Sequence, residues 1–185
     1  EKDNYNQIDS NNTSVNKVTE NSVVYVNEIS AQLVKTTNVK SKDEKVTIDE
    51  IIKNNCNFKL PLKGTITSRF GNRESTYSNV SKNHTGIDIS AKYGTDIRSA
   101  VDGKVVEVSS VGNYGKHLKI ESISNSDIVT LYAHCSKILV KKGDTVKIGD
   151  KIAKVGNTGN VTGTHLHFEI RYNNKCIDPD SILEF

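Results

Sequence analysis

Four of the five histidines in this chain stand in three short motifs. In His84-Thr-Gly-Ile-Asp88 an imidazole and a carboxylate are four positions apart. On an extended chain residues two apart share a face, so His84, Gly86 and Asp88 line one side while Ile87 and Ile89 point to the other. Gly86 would leave room between them for an ion or ligand. Thr164-His-Leu-His-Phe-Glu-Ile170 repeats the pattern. His165 and His167 share one face, and Leu166 and Phe168 the opposite one. Tyr132-Ala-His134 closes an apolar segment, with Thr130 and Tyr132 expected on the face of His134. Imidazole and carboxylate groups at strand spacing suit zinc, and three protein ligands leave a fourth position open for chemistry. An ordinary surface pair accounts for any one of these motifs, but packing does not account for all three together. His117 fits none of them and has no assigned role.

The three cysteines, Cys56, Cys135 and Cys176, are odd in number and widely spaced. This argues against a disulfide framework and a cysteine-based zinc site. Cys135 adjoins His134, but neighbours on a strand face opposite ways.

Strands must hold these groups. From Phe58 onward, segments rich in Val, Ile and Thr alternate with Gly, Asn and Asp. Examples are Gly64–Gly71, Gly86–Ser90, Gly103–Val108, His117–Glu121, Ile128–His134, Lys151–Val155 and Leu166–Ile170. Each has strand length and turn residues at its ends. No amphipathic helix of useful length appears, so residues 57–185 read as one all-β, antiparallel domain. Residues 1–56 read as a polar, partly disordered stalk. Residues 1–20 are almost wholly Asn, Ser, Thr, Lys, Glu and Asp, too polar to bury a core. A few aliphatic residues follow at 22–35, and Asp49-Glu-Ile-Ile52 predicts a single helical turn stopped by Asn54-Asn55.

With 25 basic and 22 acidic side chains, the formal charge of +3 is too even for a dedicated nucleic-acid binder. No apolar run approaches the roughly 20 residues of a membrane helix. The chain lacks Met and opens in a polar stretch, so a membrane anchor is expected ahead of it. Ala100–Val106 and Lys142–Ala153 resemble the halves of biotinyl and lipoyl carrier domains. Those carriers present a lysine on a hairpin tip, and neither Gly112-Asn-Tyr-Gly115 nor Asn157-Thr-Gly-Asn160 offers one.

Together, His84-x-x-x-Asp88, Tyr-Ala-His134 and Gly163-Thr-His165-Leu-His167-Phe-Glu resemble the lysostaphin-like, or LytM, zinc metallopeptidases. Ser68-Arg-Phe-Gly-Asn-Arg73 and Gly156-Asn-Thr-Gly159 extend the resemblance across residues 58–180. Thr164 departs from it, standing where the family often has Pro. The resemblance implies a LytM-type, barrel-like β domain with a duplicated hybrid motif. It also implies zinc held by His84, Asp88 and His167, with His134 and His165 as the catalytic pair, either of them available as the base. The implied substrate is the peptide cross-link of bacterial peptidoglycan, outside the cytoplasm.

A polar stalk before a terminal domain further resembles the SpoIIQ group of sporulation proteins. That likeness implies a place at the forespore membrane facing the intermembrane space. It also implies docking to a SpoIIIAH-like membrane-protein ectodomain in a channel between mother cell and forespore. Two function classes therefore stand: an active zinc endopeptidase, and a docking scaffold in which zinc only stabilises the fold. The intact pair His134 and His165 favours the first.

Overall fold

A computed structural model of the chain describes residues 46–72 and 83–185. The aliphatic residues at 22–35 and the polar stretch 1–20 lie outside the described residues. A compact unit runs from Val46 to Phe185. It opens with helix α1, Ile48–Asn55. Thr47 starts the helix: its hydroxyl accepts from Glu50 N–H at 3.3 Å, and Thr47 N–H donates to the Glu50 carboxylate at 2.8 Å. This reciprocal capping box satisfies two of the donors left free at a helix start. The helix is longer than the single turn expected, and it does not belong to the stalk. Ile52 is fully buried and Cys56 nearly so, both in the main core. The hydrophobic side of α1 thus joins the domain, which begins before residue 57.

The strands are β1 (Thr65–Ser68), β2 (Gly71–Asn72), β3 (Asn83–His84), β4 (Ile87–Ser90), β5 (Asp96–Arg98), β6 (Gly103–Ser109) and β7 (His117–Ser122). They continue as β8 (Ile128–Ala133), β9 (Lys137–Ile138), β10 (Thr145–Val146), β11 (Lys151–Lys154), β12 (His165–Tyr172) and β13 (Lys175–Ile177). A short helix α2, Pro179–Ile182, follows. The architecture is the antiparallel all-β arrangement expected. The large sheet has the order β1-β4-β12-β8-β7-β6-β10, with β13 added beside β12. A smaller sheet has the order β5-β11-β9, and β2 pairs with β3.

Strand β12 is the axis of the large sheet. Its first half pairs with β4, His167 opposite Asp88. Its other edge pairs with β8, His167 opposite Ala133. One face of these strands carries Ile87, Ile89, Tyr132, Leu166, Phe168 and Ile170, all buried in a core shared with Ile97, Ile152 and Ala153 of the small sheet. The Tyr132 and Phe168 rings pack at 5.3 Å. The opposite face carries Asp88, His165 and His167. Asn173 and Asn174 turn β12 into β13, both with positive φ, as a two-residue hairpin favours.

Candidate metal centre

Each of the five side chains singled out from sequence arrives at one place, by different routes. Asp88 and His167 come by register, as cross-strand partners on β4 and β12. His165 lies on the same face two positions earlier on β12. His84 does not share a strand with Asp88: it sits on β3, and the chain bends through Thr85-Gly86 before β4 begins. The bend swings His84 over, bringing its Nε2 to 3.1 Å from Asp88 Oδ1. Gly86 serves packing here, not access for an ion. A Cβ built on it would lie 2.2 Å from the carbonyl oxygen of Phe168 and 2.9 Å from Glu169 Cγ.

His134 also departs from simple alternation. Thr130 and Tyr132 turn into the interior, both fully buried, and a continued strand would send His134 after them. Strand β8 stops at Ala133, and His134 takes φ 61°. This left-handed step, uncommon for a residue with a Cβ, turns the imidazole to the opposite face. Its ring centroid lies 4.8 Å from that of His165 and 5.8 Å from that of His167. The backbone is held there by His134 N–H donating to the Tyr114 carbonyl at 2.9 Å. Cys135 stays buried and outside the cluster, and burial pushes its thiol up to about 12.

All four histidines have one ring nitrogen tied down and the other turned inward. Nδ1–H of His84 donates to the Arg69 carbonyl at 2.8 Å. Nδ1–H of His134 donates to the Thr158 carbonyl at 2.8 Å, and Nδ1–H of His165 to the Gly163 carbonyl at 2.9 Å. His167 is reversed: its Nε2–H donates to Glu169 Oε1 at 3.0 Å, leaving Nδ1 inward. A metal-binding imidazole needs this second contact to fix its tautomer and orientation.

The inward atoms test whether a cation fits. Among the described residues, His84, Asp88 and His167 form a group whose ligand atoms lie within 4.8 Å of one another. His84 Nε2 is 3.0 Å from His167 Nδ1, and that atom is 2.9 Å from Asp88 Oδ1. With the outer nitrogens already donating, three lone-pair atoms face one another. A cation among them would relieve the repulsion between like partial charges at such distances. The spacing is near the roughly 3.3 Å between ligands of one tetrahedral zinc ion, and the donor types match. His165 Nε2 stands 3.7 Å from Asp88 Oδ1, beside that group.

The electrostatics agree. Burial works to raise the Asp88 carboxyl, but the His167 and His84 imidazoles beside it outweigh burial and hold the group well below the usual carboxylate range. Burial opposes charge on His167 too, yet its contacts with Asp88 and Glu169 raise its pKa. His134 has no such carboxylate contact. Burial pulls it down to about 4 despite the Thr158 carbonyl, so it is neutral at neutral pH.

Sequence reasoning missed the groups behind His167. Glu169 is fully buried on the site face of β12. Its Oε1 accepts from Thr85 Oγ1 at 2.5 Å and Tyr114 OH at 2.7 Å, besides His167. Its Oε2 accepts from Arg171 Nε at 2.7 Å. The two-residue alternation that paired His165 with His167 also reaches Glu169, but nothing local marks Tyr114 or Thr85. His117, without a role from sequence, is buried away from the centre, bonded to the Gly115 carbonyl at 2.8 Å and Glu107 at 3.0 Å.

Comparison with known proteins bears on this geometry. The family model described as peptidase family M23 matches residues 82–179. The chain is 46% identical over 95 residues to the peptidoglycan DD-endopeptidase ShyB of Vibrio cholerae, covering 51% of this chain and 22% of that protein. It is 38% identical over 117 residues to the DD-carboxypeptidase/endopeptidase Mpg of Neisseria meningitidis, covering 63% and 26% respectively. The chain thus spans about a quarter of the length of these curated relatives. Among solved structures, a zinc-containing peptidase from Vibrio cholerae superposes with a TM-score of 0.62 at 38% identity, over 69% of this chain and 40% of that one. The catalytic domain of lysostaphin from Staphylococcus simulans superposes with a TM-score of 0.58 at 28% identity, over 63% and 90%.

Proposed function

The chain belongs to peptidase family M23, and we propose on that footing that it is a zinc-dependent endopeptidase of peptidoglycan peptide cross-links, working outside the cytoplasm. The observation that carries the reading is the convergence of three lone-pair atoms, from His84, Asp88 and His167, beside two further imidazoles with inward-turned nitrogens. His84 would hold zinc through Nε2, Asp88 through its carboxylate and His167 through Nδ1. When bound, zinc supplies a Lewis acid for the scissile carbonyl and lowers the pKa of water to about 7. A docking module would need the three ligands but not the pair beside them.

His134 and His165 do the proton work in this reading. His134 is neutral at neutral pH with Nε2 unprotonated, so Nε2 can accept a proton from the attacking water and return it to the leaving amine. The Thr158 carbonyl keeps Nδ1 protonated and the ring in register for that transfer. His165, with Nδ1 held by Gly163, directs Nε2 at the same space and can steady negative charge on the carbonyl oxygen. The named activity of the Vibrio relative, a peptidoglycan DD-endopeptidase, supports peptidoglycan as the substrate class, and that of the Neisseria relative supports endopeptidase chemistry.

The finer reading, a SpoIIQ-like protein of the forespore membrane docking a SpoIIIAH-like ectodomain, has support only from a polar stretch preceding a terminal domain. No relative compared above favours it over a wall hydrolase.

Digestion of purified, cross-linked sacculi by the zinc-loaded protein, with fragments read by mass, tests the proposal. Wild type is expected to release cleaved cross-link peptides. His134→Ala is expected to keep its zinc and lose about 10²–10⁴-fold in rate, the usual worth of a general base. Intact sacculi with wild type, or equal cleavage by the variant, would count against it.

A further inference from the structure

Of the four site histidines, only His167 has its outer ring nitrogen on a charged group among the described residues. His84, His134 and His165 lean on backbone carbonyls, whereas His167 leans on the Glu169 carboxylate. That carboxylate is fully buried, where a charge persists only if it is well paired. Its partners are drawn from three places in the fold. Thr85 reaches it from the bend between β3 and β4, Tyr114 from the loop before β7, and His167 and Arg171 from β12 itself. Arg171 adds a second contact through Nη2 at 2.6 Å, and the same nitrogen reaches Tyr114 OH at 3.3 Å. Both carboxylate oxygens are thus occupied by donors, with no acceptor opposing them in this set.

We propose that Glu169 is a positioning residue for the metal centre: it fixes the proton of His167 on Nε2 and so commits Nδ1, not Nε2, to the metal. This rests on the zinc-site reading above. The reversed use of the ring follows from the strand. His167 and Glu169 are two apart on one face, so their side chains stand next to each other along β12, and the ring edge nearer Glu169 is the Nε2 edge. Asp88, across the strand pair, then meets Nδ1. A neutral amide cannot take over. Glutamine has one acceptor oxygen, and whichever way it is turned its NH₂ confronts either Arg171 or the set formed by Thr85, Tyr114 and His167. Tyr114 gains a second part in this arrangement, because its carbonyl also holds the backbone of His134.

The experiment pairs ¹⁵N-histidine spectra of the zinc-loaded full chain with zinc dissociation constants from chelator competition. In wild type, His167 is expected to carry its proton on Nε2 and to bind zinc at Nδ1. Glu169→Gln is expected to weaken zinc about 10–100-fold, the usual effect of losing such a partner, and to speed solvent exchange of the Nε2 proton. Tyr114→Phe, which keeps the carboxylate, should lose less than Glu169→Gln. Wild type bound through Nε2 of His167 overturns the inference, however the variants behave. So does Glu169→Gln with unchanged zinc affinity and proton exchange. Wild type that takes up no zinc fails the metal-site reading itself, and the inference with it.

Discussion

His84 and His167 have the same side chain but present different nitrogens to the same point, because their outer contacts differ. Removing either leaves two facing lone-pair groups instead of three. His84→Ala and His167→Ala are each expected to fall well below one zinc per chain after gel filtration, measured by atomic absorption, while keeping the β-sheet circular dichroism. Stoichiometric zinc in both would remove them as ligands. At this scale the sequence was legible where strand alternation decides direction: His165 with His167, and Asp88 against Ile87 and Ile89. It misled where the backbone leaves the strand. His134 depends on a φ of 61°, which no neighbouring residue type announces. Gly86 looked like space for a ligand and is space for the Phe168 backbone. Glu169 was within reach of the same alternation, but its importance comes from Tyr114 and Thr85, which are distant in sequence.

The strands that carry the site were readable from their composition, since β-branched runs bounded by Gly, Asn and Asp fit a pleated, half-buried surface. The short strands β2, β5, β9 and β10 were less so. Two or three residues give no periodicity, and their pairing is set by the partner strand. The small sheet is held across its exposed side by Asp96, which pairs with Lys151 at 2.8 Å and Lys154 at 2.7 Å. Those hydrogen bonds bring the Asp96 pKa down from 3.8 to about 2. A carboxylate whose folded-state pKa is depressed adds stability above its unfolded pKa and loses it as pH falls through the folded value. Asp96→Asn is therefore expected to melt lower than wild type at neutral pH, by a small amount because the pair is exposed. The difference should close as pH drops from about 4 to about 2. Melting curves across that range check it; a gap that stays constant to pH 2 would rule out Asp96 as its source.

Across the whole molecule, the compact unit starts with α1 and not with the first strand. From sequence, Asp49-Glu-Ile-Ile52 was too short to argue for an amphipathic face. Burial of Ile52 is a tertiary fact, arising because the sheet leaves an apolar surface for it. A chain trimmed to begin at Val46 is expected to keep the zinc site and its thermal transition. One trimmed to begin at Asn57 gives up a fully buried Ile, worth about 2–5 kcal/mol in comparable cores. Its transition should lie on the order of 10 °C lower by calorimetry. Equal transitions in the two trimmed chains would make α1 an ornament on the domain.

The loops around Gly115 and Gly159 meet backbone against backbone at these two glycines. A Cβ on Gly115 would come within 2.4 Å of Thr158, and one on Gly159 within 2.4 Å of Asn113. Both loops also grip His134, one through the Tyr114 carbonyl and the other through the Thr158 carbonyl. An insertion or deletion in either loop would part the two backbones and drag the His134 imidazole with them. Little change in sequence can be absorbed at this corner, because two loops distant along the chain fix one imidazole jointly.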